Sequence, residues 1–392
     1  MCRSERSKLC EPVLVPWCTL SGQGKGKRNK SNGESVQILR SISQWSLGQE
    51  CEHSIYAAYC SAIANAKHFI YIENQFFISS TTDSSETDLF HKKGLVKNRI
   101  AGVILSRIDR AMTAGEIFRV IIVLPLMPSF EAAPRAHNAQ IITTLQQQSL
   151  MSIISALQER HPNVDASQYI SVFSLFTHGR IGGNSIGAMV YCHSKMLIVD
   201  DVIAIVGSAN LNDRSMLGER DSEVCAIVAA TEDGLEKIRL AGKEFMASRL
   251  VHSLRVRTFM EFLGISSDSH EEVRSGSAPE GGTIFPSFMH GKKLSENERI
   301  LARHVVNDPA SSAFYVELCR QCARHNTQIM ERCFPSSFCS NKVRSFKAME
   351  AEVNEVSQEG LEEVQGMLVN YPLTFLCEER PRASMIPEVI FA

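Results

Sequence analysis

From Val190 to Glu223 the chain reads VYCHSKMLIVDDVIAIVGSANLNDRSMLGERDSE, two apolar stretches on either side of Asp200 and Asp201. Short apolar runs bounded by turn residues fit strands, and the flanking sequence alternates them with helical patterns. The spacing predicts helices over His53 to Lys67, Gly94 to Met112, Asn138 to Arg160 and Gly234 to Arg249. It predicts strands over Phe69 to Ile78, Phe118 to Leu124, Tyr169 to Phe176, Ala188 to Val199, Val202 to Val206 and Glu223 to Ala229. Such alternation points to a mixed α/β domain.

The organisation follows from composition. Residues 1–50 form an N-terminal segment in which Ser21 to Gly33, rich in Gly, Lys and Asn, reads as a solvated loop. Residues 51–265 form the sheet domain, 266–286 a flexible loop rich in Ser, Gly and Glu, and 287–392 a helical C-terminal segment packing on the domain. A formal charge of -2 over 392 residues gives no global pull toward nucleic acid or anionic lipid. Twelve scattered cysteines suit free thiols in a reducing compartment. The apolar stretch Pro12 to Leu20 is too short for a signal peptide core, and no run is long enough to span a bilayer. The expected location is therefore cytoplasmic.

The chemistry is densest in the opening stretch. Side chains alternate along a strand, so His193 and Lys195 project from one side and Asp200 falls on the other, in a salt bridge or turn. Beyond the turn come Gly207, Ser208 and Asn210. The glycine permits close approach to a bound group, and the hydroxyl and amide supply neutral donors. With Lys195 they form an anion cradle of the kind that stabilises a phosphoryl-transfer transition state. Histidine suits nucleophilic or acid–base work near neutrality once its tautomer is fixed. Glu223 is the first choice for the group that fixes it and Asp221 the second.

His193, Lys195 and Asp200 spell HxKxxxxD, followed by GSxN at Gly207 to Asn210, and at these residues the sequence resembles the phospholipase D superfamily. YIENQFF at Tyr71 to Phe77, NDRSMLGERDSE at Asn212 to Glu223, VQILRSISQWS at Val36 to Ser46 and the terminal MIPEVIFA resemble its eukaryotic, phosphatidylcholine-hydrolysing branch. The resemblance implies a mixed β-sheet sandwiched between helices, with a site at the seam of two halves that each carry one motif. It implies a phosphohistidine intermediate, no metal in the chemistry, no cofactor beyond possible phosphoinositide activation, and action at a phospholipid membrane surface. Carried onto this chain, His193 matches the second motif's histidine and would be general acid and base. Lys195, Ser208 and Asn210 would hold the phosphate. Glu73, Asn74 and Gln75 would line or support the pocket, although an aromatic strand is equally a core strand.

One histidine cannot attack phosphorus and protonate the leaving alcohol together, and the sequence has no second HxKxxxxD. A second motif is expected as partner, on an N-terminal half or another copy of the chain. The alternatives are a homodimeric phosphodiesterase acting on nucleic acid, disfavoured by the lack of a basic, aromatic-interleaved stripe, and a silent or regulatory chain. Other signals are weaker. Cys319, Cys322, His325, Cys333 and Cys339 invite a zinc reading, but lie in a helical pattern without a second CxxC. No GxSxG elbow or phosphate-binding loop occurs, and RIGGNSIG near Gly182 reads as a surface loop.

Overall fold

A computed structural model describes residues 33–81, 96–128, 134–265, 283–335, 338–351 and 360–379. The stretch Pro12 to Leu20, most of the Ser21 to Gly33 loop, residues 266–282 of the second loop and the terminal MIPEVIFA lie outside the described residues.

The strands, in chain order, are β1 (Glu34–Ile42), β2 (Glu52–His53), β3 (Phe69–Glu73), β4 (Arg119–Val123), β5 (Ile170–Ile181), β6 (Asn184–Met189), β7 (Met196–Val199), β8 (Ile203–Gly207), β9 (Glu223–Ala230), β10 (Leu235–Leu240), β11 (Lys243–Ser248) and β12 (Leu368–Asn370). Ten of them form one sheet in the order β12-β5-β4-β3-β7-β8-β9-β1-β2, with β6 paired to β5. The pairs β3–β4 and β4–β5 are parallel and the others antiparallel, so the sheet is mixed.

Alternation along the central strands sorts two cores. Ile70, Ile72, Val120, Ile122, Leu197, Val199 and Ile205 face helices Ser54–Asn65, Ile100–Ala114 and His137–Arg160. These helices present apolar residues at helical spacing, such as Ile55, Tyr59 and Ile63. Phe69, Tyr71, Ile121, Val123, Met196 and Ile198 face the other way, onto Val251, Phe259 and Phe262 of helix Arg249–Phe262 and Phe314 and Leu318 of the C-terminal segment. The expected architecture, a mixed sheet between helices followed by a mostly helical segment, is the one observed.

Four expectations need correction. Gly234 to Arg249 is not a helix: β10 and β11 pair as a two-residue hairpin whose turn is Ala241 (φ 52) and Gly242 (φ 76), the left-handed pair that matches strand twist. The helix begins at Arg249, capped by Ser248. The long strand Ala188 to Val199 is two strands, β6 and β7, with residues 190–195 between them outside regular structure. The boundary at residue 50 cuts the sheet, because β1 lies inside it, between β9 and β2. Finally, the C-terminal segment contributes β12 to the same sheet, paired to β5. RIGGNSIG is the β5–β6 hairpin, turning through Gly182 (φ 59) and Gly183 (φ 84).

Candidate active site

His193 and Lys195 sit just before β7, in a lead-in without regular structure rather than in its ladder. The pairing still reaches back to them, because Gly207 N–H donates to the Lys195 carbonyl at 3.1 Å. The His193 ring is exposed to solvent, and no hydrogen bond reaches it among the described residues. Its neighbour is the Tyr191 ring, stacked at a centroid distance of 5.9 Å and an interplanar angle of 19°.

The Lys195 side chain is buried, and its Nζ donates to Gln75 Oε1 at 3.0 Å and to the His193 carbonyl at 2.5 Å. Burial holds its ammonium below the ordinary lysine range, opposed by nearby Cys192 and Glu223. Gln75 Nε2 donates onward to Tyr191 Oη at 2.6 Å, and that hydroxyl donates to the Pro128 carbonyl at 2.9 Å.

Asp200 and Asp201 occupy the β7–β8 turn, both with left-handed φ of 52° and 54°. The Asp200 carboxylate accepts the backbone N–H groups of Lys67, His68 and Phe69 at 2.6, 2.7 and 2.8 Å, fixing the start of β3. Burial pushes its carboxyl above the ordinary range, and those three donors oppose the shift. Asp201 pairs bidentately with the fully buried Arg255 at 2.6 and 3.1 Å. Arg255 in turn donates to the Val306 and Asn307 carbonyls.

The expectation that Glu223 orients His193 is corrected. Ser208 Oγ donates to its Oε2 and Ser215 Oγ donates to its Oε1 at 2.6 Å, and among the described residues no hydrogen bond joins it to the His193 ring. Asp221, the second choice, is held by Arg214 at 2.9 Å through both oxygens. Gly207 also has a different reason to be glycine. A Cβ there would lie 2.4 Å from the Cys225 Sγ and the Val224 carbonyl, so strand packing and not approach to a ligand excludes a side chain.

Ser208 is exposed and also accepts Val224 N–H at 3.1 Å. Asn210 is half-buried, and its Oδ1 is buried without a hydrogen-bond partner among the described residues. The three residues drawn from YIENQFF part company. Asn74 is fully buried: its Oδ1 accepts Phe76 and Leu211 N–H, both at 3.2 Å, so it tethers the chain beyond β3 to the GSAN segment and cannot touch a ligand. Glu73 accepts from Tyr71 Oη, Cys192 Sγ and Ser194 Oγ. Burial, with Glu73 beside it, pushes the Cys192 thiol up to about 12. Of the three, Gln75 touches the motif's lysine directly.

Sequence reasoning missed Tyr191, whose ring stacks on that of His193; its place two residues before the histidine was the available signal. Among the described residues no group of three or more His, Cys, Asp or Glu side chains converges as metal ligands. Cys319 and Cys322 point into the core, and burial raises both thiols.

Fold and site together define the class: a mixed α/β domain with a histidine and a desolvated lysine at the mouth of its central hairpin. The chain matches the family described as Phospholipase D over residues 25–277, more than half of its 392 residues. It is 35% identical over 348 residues to phospholipase D B of Dictyostelium discoideum, covering 88% of this chain and 25% of that protein. It is 34% identical over 404 residues to phospholipase D1 of Homo sapiens, covering 99% of this chain and 33% of that one. It is similar to the solved structure of Nuc, a phospholipase D family member from Salmonella typhimurium, at 17% identity and a TM-score of 0.26, over 50% of this chain and 84% of that one. The chain belongs to the phospholipase D family. It spans a quarter to a third of the length of these curated relatives.

Proposed function

We propose that the chain supplies the second-motif half of a phospholipase D-type phosphodiesterase that hydrolyses phosphatidylcholine to phosphatidic acid and choline. The observation that carries the reading is the exposed His193 ring two residues before the buried Lys195 cation, which donates to the His193 carbonyl, in a chain of that family. In the reaction a histidine of a second HxKxxxxD motif attacks phosphorus, and the P–O bond to choline breaks. His193 gives its proton to the departing choline oxygen, then takes one from the water that releases phosphatidic acid. In this reading Lys195, the Asn210 amide and Ser208, once its hydroxyl turns from Glu223, take the phosphate oxygens as they gather charge.

Two surfaces support the partners this requires. On the face shared by Met196 and Ile198, the strands β8, β9 and β1 leave an apolar patch exposed. Ile38 is 61% and Val224 54% exposed, joined by Val36 and Val206. The register sets Ile38 and Val206 both opposite Ala226, so the patch is continuous. It ends at Ser208, in the site, and suits the docking of a half that carries the other motif. Trp45 is 69% exposed while its indole N–H is spent on the Glu219 carbonyl at 2.9 Å. With exposed Leu47 it offers an apolar pair suited to a lipid surface. No helix among the described residues is long and apolar enough to cross a membrane.

The test is transphosphatidylation of phosphatidylcholine vesicles with primary butanol, using the chain alone and then mixed with a separately produced half carrying the first motif, each with and without phosphoinositide. Phosphatidylbutanol formed only in the mixture is the expected result. Formation by the chain alone would assign the partner role to a second copy, and none in either case would overturn the reading.

A further inference from the structure

We infer that Tyr191 is a positioning residue for the catalytic imidazole, and that Gln75 ties its placement to that of Lys195. The inference rests on the phosphodiesterase reading of His193 and deepens it. An exposed histidine ring samples several rotamers unless something limits it, and a reacting atom displaced by about 1 Å can cost a hundredfold in rate. Among the described residues no carboxylate hydrogen-bonds the ring: Glu223 accepts from Ser208 and Ser215, and Asp221 from Arg214. What lies against the ring is the Tyr191 face, 5.9 Å between centroids and 19° from parallel, within the range of offset stacking.

A backstop works only if it is itself fixed, and the donor–acceptor inventory shows how two of its bonds do so. The lysine ammonium can only donate, so the Gln75 atom it meets at 3.0 Å is the carbonyl oxygen. The Gln75 amide nitrogen therefore faces Tyr191 Oη at 2.6 Å and donates to it. The hydroxyl proton is left for the Pro128 carbonyl, which can only accept, at 2.9 Å. The same ammonium donates to the His193 carbonyl at 2.5 Å, closing a ring from Lys195 through Gln75 and Tyr191 back to the backbone of His193. Cation and imidazole are thus held in one frame. A tyrosine face accepts the imidazole in its neutral and its cationic form, which a group alternating between acid and base requires.

The experiment compares Tyr191→Phe, Tyr191→Leu and Gln75→Leu in the chain paired with the first-motif half, with His193 ring-proton NMR on each chain alone. Tyr191→Leu is expected to lower kcat between about tenfold and a hundredfold with KM little changed. The ring-current displacement of the His193 ring protons should be lost in the same variant. Tyr191→Phe, which keeps the stack, should keep that displacement and most of kcat. Gln75→Leu should broaden the His193 resonances and lower kcat. An unchanged kcat and unchanged His193 resonances in Tyr191→Leu would overturn the inference, as would a Phe variant as impaired as the Leu one. The NMR arm needs no activity, so an inactive wild-type pair would overturn the functional reading and leave the role of Tyr191 decided by the spectra.

Discussion

Lys195 is the residue at which burial and chemistry conflict most openly. Its ammonium lies in a buried site with two neutral oxygens as its acceptors, and burial lowers its proton affinity below that of a free lysine. The sign of the consequence is fixed: the cation is present at neutral pH and is lost as pH rises through a value below the ordinary ~10.4. The alkaline limb of kcat/KM in the paired enzyme should therefore begin below that value, and 13C titration of the labelled side chain should report the same midpoint. A midpoint at or above the ordinary value would contradict this account. That His193 and Lys195 lie together was legible from their two-residue spacing, but that Lys195 would reach the backbone carbonyl of His193 and Gln75 was not. Nor were the partners of Glu223. Ser215 and Ser208 lie 8 and 15 residues away in sequence, and only the curl of the Asn212 to Asp221 segment decides which hydroxyls reach the carboxylate.

Elements declare themselves in the sequence to the extent that they are buried in the ordinary way. The central strands β4 and β7 are short apolar runs covered on both faces, and the three helices over the first core carry apolar stripes, so all were visible. The β10–β11 hairpin was not, because LEKIRLAGKEFMAS carries residues with good helix propensity and its only break is Ala241–Gly242. The three-residue β12 is too short to leave any pattern. At this scale Asp200 acts as a fastener, since one carboxylate holds the start of β3 to the β7–β8 turn. Asp200→Ala leaves three N–H groups without that acceptor and should destabilise the fold by on the order of 3 kcal/mol. Denaturant unfolding should show the loss, while the folded fraction keeps its activity. A well-folded but inactive variant would instead make Asp200 a participant in the chemistry.

In the molecule as a whole, the sheet is covered by helices on one face and only in part on the other, where Val36, Ile38, Val206 and Val224 remain open. Ile38→Glu should leave the melting temperature of the isolated chain nearly unchanged, because exposed sites contribute within about 0.5 kcal/mol. It should abolish association with the first-motif half in analytical ultracentrifugation. Unimpaired association would place the docking surface elsewhere. Sequence could not reveal this face, since its apolar residues look like any other buried strand until the missing cover is seen. The Asp200–Asp201 turn has a related significance. The tip of a two-stranded hairpin is ordinarily where a protein tolerates extra residues or new termini. Here successive carboxylates reach in different directions, one to residues 67–69 and the next through Arg255 to residues 306–307. Inserting or deleting a single residue would exchange their directions and release both attachments, so this tip is closed to grafting, tagging and circular permutation.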